Sequence, residues 1–305
     1  MKKLKLKHLN VTFTMKMENH MANCGEKFIG NEITLKKDGN GDNYISGQQS
    51  KRFLKDSILD SLQNNLPNCK NTTSDSRICP DNLNDSIEND VRANLFGMMQ
   101  PEDNLKRFAV IKTTNSKALI PSNNYNDLLL RFSTQDQNHS IVNREIGDDF
   151  FNFKWDVDCT RICAEDVNAT NLIDDYLEIT TEVKMLTDVE TKKKWIESIL
   201  KGLENFCPGA NQSRNLAPAY KNDFFVVFNQ LYHDNKYLIF FELSLEKKIS
   251  MLEYLKCEGI NYILFDEEIH KHLKENPNQN INCEDNVENC FKKITKQLEN
   301  YDLNV

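Results

Sequence analysis

Leu9, Val11, Phe13, Met15 and Met17 alternate with Asn10, Thr12, Thr14 and Lys16, and this period of two predicts a half-buried strand. The rhythm returns at Phe151, Phe153, Trp155 and Val157, set against Asn152, Lys154 and Asp156, and predicts a second strand. Two other stretches change to a helical period. Ser46 stands three residues before Gln49, a capping-box arrangement, and Phe53, Leu54, Ile58, Leu59 and Leu62 follow at helical spacing, so a helix is expected over about 47–65. Thr187 with Glu190 repeats that box ahead of Trp195, Ile196, Ile199, Leu200 and Leu203, placing a helix over about 188–205.

The remaining signals are shorter. "RFAVIKTT" at 107–114 reads as a strand, and the apolar runs "FFVVFNQLY" and "YLIFFELSL" flanking "HDNK" read as a hairpin. A helix over roughly 246–257, the strand "INYILF", and a last amphipathic helix using Val287, Phe291, Ile294 and Leu298 follow. Residues 66–90 are polar and contain two prolines, which suits a surface insertion, and 115–145 reads as irregular. With the insertions removed, the order begins strand, helix, strand, strand, helix, strand. That is the ferredoxin-like order of RNA-recognition motifs, in the α+β class.

Charge sharpens this picture because it is unevenly placed. The chain of 305 residues has a net charge of −8, yet residues 1–55 hold eleven lysines and arginines against five acidic residues. That segment is therefore +6, leaving −14 for the rest, so a general nucleic-acid binder is disfavoured while a local basic site is not. No apolar run approaches the roughly 20 residues of a membrane span, and "MKKLKLKHLN" is not followed by a secretory apolar region, so a cytoplasmic protein without membrane partners is expected. The nine cysteines include no CxxC pair and read as small buried hydrophobes. Asn-x-Ser/Thr sequons at 71 and 211 are incidental in an Asn-rich chain of this kind.

The stretch "DGNGDNYISGQQ" imitates a calcium loop, with Asp38, Asn40 and Asp42 at loop positions 1, 3 and 5 and Ile45 at position 8. The imitation fails at two places: Gln49 occupies position 12, where a bidentate Glu is required, and Asn43 occupies position 6, where Gly is required. A tight turn without metal accounts for Gly39, Asn40 and Gly41. After the turn comes a helix start whose free N–H groups and dipole attract anions, with Ser46, Gly47, Gln48 and Gln49 at its entry and Lys51, Arg52 and Lys55 within two turns.

From Met21 to Leu59 the sequence resembles the start of the CRISPR-associated DevR-type proteins, the backbone subunit of type I-B Cascade. The resemblance rests on "NCG" at 23–25, "NEITLKK" at 31–37 and "YISGQQSKRFLK" at 44–55, in this order. "NDVRANLFGMM" is similar to that family's acidic-then-LFG segment, and "PGANQSRNLAPAY" at 208–220 to its thumb loop. The C-terminal third matches only in general character.

The resemblance implies one RNA-recognition-motif-like palm spanning 1–305, with a finger-like insertion over 66–145 and a thumb loop over 206–222. It implies a non-enzymatic subunit without cofactor, polymerised as a helical filament along the CRISPR RNA (crRNA) beside other Cascade subunits. The ribonucleoprotein would present its guide for pairing with target DNA in antiviral defence. Guide independence requires phosphate and sugar contacts rather than base contacts. Asn23, Gly25, Ser46, Gly47, Gln48, Gln49, Lys51, Arg52, Lys55, Asn211, Gln212, Ser213 and Arg214 are the RNA-binding residues expected on that basis, with Leu216 a candidate wedge. The alternatives are a metal-dependent ribonuclease subunit of a type III-like effector complex, using Asp38 or Asp42, and a regulator that binds partners without a guide.

Overall fold

The computed structural model describes every residue except 1, 2, 23, 29–31, 67–82, 104, 132–139, 174–175, 208–218, 231–234 and 305. From the N-terminus the chain forms β1 (Leu4–Lys5), β2 (His8–His20), β3 (Cys24–Phe28), β4 (Glu32–Leu35), β5 (Tyr44–Ile45), α1 (Gly47–Asn65) and α2 (Leu83–Asn89). A one-turn π-helix, Arg92–Phe96, leads to β6 (Met98–Gln100), β7 (Leu105–Arg107), β8 (Ile111–Thr113), β9 (Ser116–Lys117), β10 (Asn123–Arg131) and β11 (Ser140–Asp158). Then come β12 (Ala164–Ile173), β13 (Tyr176–Met185), α3 (Val189–Glu204), β14 (Ala219–Asn229) and a 3-10 helix, Lys236–Glu242. The chain ends with α4 (Leu245–Cys257), β15 (Tyr262–Phe265), α5 (Glu267–Glu275), α6 (Val287–Leu298) and β16 (Tyr301–Asp302).

The central mixed sheet runs β15–β14–β2–β11–β4–β3, with β8 and β10 also paired to β11. β2 is antiparallel to both of its neighbours, and Phe13 lies opposite Phe153 on one side and Phe224 on the other. β8 is antiparallel to the C-terminal part of β11, so β14, β2, β11 and β8 lie side by side. The odd positions of β2, from Leu9 to Met17, join Phe151, Phe153, Trp155, Phe224 and Val226 in the main core. Leu54, Ile58 and Leu62 of α1 and Trp195, Ile196, Ile199 and Leu203 of α3 complete that core, so both amphipathic helices cover the same sheet face.

The other face differs because its strand residues are polar and still buried. His8 Nδ1 and Asn10 Nδ2 both meet Asp156 Oδ1, at 2.9 and 3.0 Å, Thr12 donates to Asn152 Oδ1 at 2.8 Å, and Asn229 donates to Asn10 Oδ1 at 3.1 Å. Burial of such groups is tolerable only because they bond one another. Beside this layer, Phe225 and Val227 pack with Tyr237 and Phe240 of the 3-10 helix, Leu252 and Leu255 of α4, Leu264 of β15 and Ile269 of α5 in a second core.

Both strong alternating segments form strands, the first buried on both faces rather than half-buried, and the helices at 47–65 and 188–205, the helix near 246–257, the strand at 262–265 and the last helix stand as the sequence predicts. Several expectations need correction. "YLIFFE" is a 3-10 helix and not the second strand of a hairpin, because Tyr237 and Phe240, three apart, share one buried side. The span 115–145 is not irregular, since β10 and the start of β11 pair through nine residue pairs from Asn123↔Asp148 to Arg131↔Ser140. Asp188, not Thr187, caps α3, its carboxylate accepting the Thr191 N–H at 2.6 Å. The β12–β13 hairpin and α5 are not among the expected elements, although Leu177, Ile179, Thr181 and Val183 alternate with Glu178, Thr180 and Glu182 along β13. The strand expected over 107–114 is confined to 111–113, with β7 ending at Arg107.

Among the described residues no helix is long and apolar enough to cross a membrane.

Candidate nucleic-acid interface

The start of α1 is built by its neighbours as much as by its own sequence. Ser46 is extended (φ −65°, ψ 147°) and its hydroxyl accepts the Gln49 N–H at 3.3 Å, the N-cap half of the expected box. The Gly47 N–H donates to Asn115 Oδ1 at 3.0 Å, so a side chain beside β9 closes a second orphan donor. β5 pairs with β9, placing Ile45 opposite Ser116 and fixing the helix start against the sheet edge.

Around this start the structure brings together Ser46, Gly47, Gln48, Gln49, Lys51, Arg52 and Lys55. Gln48 and Arg52 are exposed, Gln49, Lys51 and Lys55 half-buried, and Leu54, Ile58 and Leu62 turn inward. The basic side chains therefore occupy the outer stripe of an amphipathic helix. Sequence reasoning missed one member of the cluster, Lys112 on β8. Burial lowers the pKa of Lys51, and the charge of Lys112 lowers it further. Two ammonium groups that repel each other in a partly desolvated corner favour an anion placed between them.

The turn before α1 holds its carboxylates in local bonds. Asp38 Oδ1 accepts the N–H of Asn40 at 2.8 Å and of Asp42 at 3.3 Å, and Oδ2 lies 3.3 Å from Lys117 Nζ. The Asn40 bond in particular holds the Asp38 carboxyl below the usual range. Asp42 Oδ1 accepts the Ser122 N–H at 3.3 Å. Among the described residues no three His, Cys, Asp or Glu side chains gather as metal ligands.

A buried cluster ties this turn to the sheet. His20 Nε2 lies 2.6 Å from Asp149 Oδ2, which also accepts from Asn43 Nδ2 at 2.7 Å, while the Ala22 N–H donates to His20 Nδ1 at 3.3 Å. Since Nδ1 accepts, the ring proton sits on Nε2 and points at the carboxylate. Burial would push Asp149 up, but the bonds from His20, Asn43 and Ser122 outweigh it and hold the carboxyl below its ordinary value. Gly147 makes the cluster possible, because a Cβ there would lie 2.8 Å from Asn43 Nδ2 and 2.9 Å from Asp149 Oδ2.

Asn23 lies outside the described residues, as do Asn211, Gln212, Ser213, Arg214 and Leu216. Gly25 falls in β3, which pairs with β4 and so reaches the sheet through the β4–β11 contact. Lys221 Nζ on β14 donates to the carbonyl of Glu204 at 2.8 Å and of Phe206 at 3.1 Å.

No family model matches the chain, and no curated protein does. Solved structures do. A chain of a "CRISPR RNA-guided surveillance complex, pre-nicking" superposes with a TM-score of 0.54 at 9% identity, covering 95% of this chain and 99% of that one. A chain of a second "CRISPR RNA-guided surveillance complex" superposes with a TM-score of 0.54 at 11% identity, over the same shares of both chains. At these identities the likeness is one of fold.

Proposed function

We propose that the chain binds guide RNA through its phosphate backbone as a non-catalytic, repeating subunit of a type I, I-B-like CRISPR surveillance complex, and that successive copies hold the guide for pairing with target DNA. The observation that carries this reading is the corner formed by Lys51 and Lys112 at the capped start of α1, where Arg52 and Lys55 add charge. Its donors and cations suit a phosphate and offer nothing that distinguishes one base from another. The fold shared with chains of CRISPR RNA-guided surveillance complexes supports the same reading.

The side-by-side order β14, β2, β11, β8, with α1 and α3 on one face, supports an RNA-recognition-motif-like palm. Such palms bind RNA on the open sheet face, but here the face opposite the helices is covered beside β14 by the 3-10 helix, α4 and α5. That cover favours the end of α1 as the RNA contact. A non-catalytic role is favoured over a ribonuclease because Asp38 is engaged by the turn and by Lys117, and Asp42 Oδ1 by the Ser122 N–H.

The test is binding of unrelated single-stranded RNAs to the full chain at several salt concentrations. Affinity should be similar for all sequences, and Lys51→Ala and Lys112→Ala should each lower the salt slope by about 1. Slopes unchanged in both variants would refute the reading, as would RNA cleavage that Asp38→Ala abolishes.

A further inference from the structure

β6 and β7 form a small hairpin in which Met99 pairs with Lys106, and the chain leaves β7 through Phe108. Phe108 is 57% exposed and Met99 71%, a large apolar surface outside both cores. The backbone that presents the ring is rigid. Arg107, buried on the opposite side, donates to the carbonyls of Ala93 at 2.7 Å, Ala164 at 2.8 Å, Arg161 at 3.0 Å and Asn94 at 3.3 Å. Gly97, with φ +75°, packs so closely that a Cβ would lie 2.7 Å from both Ala109 N and Arg107 O. Val110 N donates to Leu95 O at 2.9 Å. An exposed aromatic on a mobile loop would need no explanation, whereas one held from three sides is presented.

Its surroundings specify the partner. Lys106 Nζ lies over the ring, 4.5 Å from its centroid, and Arg161 Cζ over it at 5.7 Å, so two cations on long side chains are its present cation–π partners and an entering base must displace them toward its own phosphates. A flat, uncharged ring attached to an anionic backbone fits that combination, as in single-strand-binding sites where bases stack on aromatics and basic groups follow the phosphates. The two cations favour a partner that carries anionic groups beside its flat face. β8 begins three residues after Phe108 and carries Lys112, so the platform is continuous in sequence with the α1 corner.

We propose that Phe108 is a stacking platform for an unpaired nucleobase of the bound RNA, with Lys106 and Arg161 taking the flanking phosphates. This rests on the RNA-binding reading above. The experiment titrates the full chain and its variants with labelled oligouridylate and oligothymidylate at two salt concentrations. Phe108→Ala should weaken oligouridylate binding by about tenfold without altering the salt slope, since the ring is uncharged, and Phe108→Trp should restore it. Lys106→Ala should instead lower the slope by about 1. If Phe108→Ala binds like the parent while Lys51→Ala still lowers the slope, the platform is wrong and the RNA-binding reading stands. A parent chain that binds no RNA overturns both. Loss confined to oligothymidylate, or a change in self-association by sedimentation with RNA affinity intact, also overturns the assignment.

Discussion

Lys221 on β14 donates its ammonium to the carbonyl of Glu204 at the end of α3, 2.8 Å away. Burial drives its pKa down to about 8 from 10.5. The folded state therefore binds this proton less tightly than the unfolded chain, so the group's contribution to stability rises as pH climbs from 8 toward 10.5, and it is flat below 8. The stability difference between the parent and Lys221→Met should grow in the parent's favour by about 2 kcal/mol between pH 7 and pH 10, measured by urea unfolding. A constant difference would show that the ammonium is not desolvated.

Lys51 makes a prediction for binding rather than folding. Because burial and Lys112 depress its pKa, an anion that settles between the two lysines must raise it, and association then takes up protons on the alkaline side. RNA affinity should begin to fall at a lower pH in the parent than in Lys51→Arg, whose guanidinium stays charged. Parallel pH profiles would argue that no phosphate reaches this corner.

The Asp149 cluster predicts a local effect with a distant consequence. Asn43→Ala leaves the buried carboxylate short of one donor and should cost about 1–3 kcal/mol. Gly147→Ala should cost a similar amount by forcing Asn43 and Asp149 apart. Since Asn43 stands just before β5 and α1, both changes should loosen the 36–46 segment, seen as faster amide exchange there, and weaken RNA binding without altering the salt slope.

Thiol chemistry reports the two cores separately. Burial pushes Cys163 and Cys283 up to about 11 and Cys159 and Cys290 higher still. Cys257 is exposed. At pH 8 iodoacetamide should label Cys257 in the native protein and spare these four, as peptide mass spectrometry would show. Above that pH the four thiols act against Lys221, since their folded pKa values are raised and the stability tied to them is lost as unfolded thiols ionise near 8.5.

Strong periodicity made β2, α1, α3 and α6 legible, because each gathers its apolar side chains on one regular face. β10 and the first part of β11 were not legible. "NNYNDLLLR" is mostly polar, and its outer residue Leu128 stays exposed, so no alternation marks a buried side. The run "YLIFFE" is short enough that strand and helix look alike until its packing partners are known. At the candidate site, Lys51, Arg52 and Lys55 are contiguous and could be read directly. Lys112 could not, because only the pairing of β8 with β11 carries it there. The His20, Asn43 and Asp149 cluster is likewise assembled from three distant stretches that share no motif.

The pairing of Phe13 with both Phe153 and Phe224 carries a cost in time. β2 is made first, yet its last partner, β14, ends at Asn229, so one edge of the central strand must wait for roughly 200 further residues. At about 5–20 residues per second that wait is on the order of 10–40 s, during which the edge of a thirteen-residue strand with one apolar face is open to other chains. Slow translation or scarce chaperones should therefore deplete this protein as aggregates formed on the ribosome, while the finished fold, with β2 paired on both sides, is protected from the same fate.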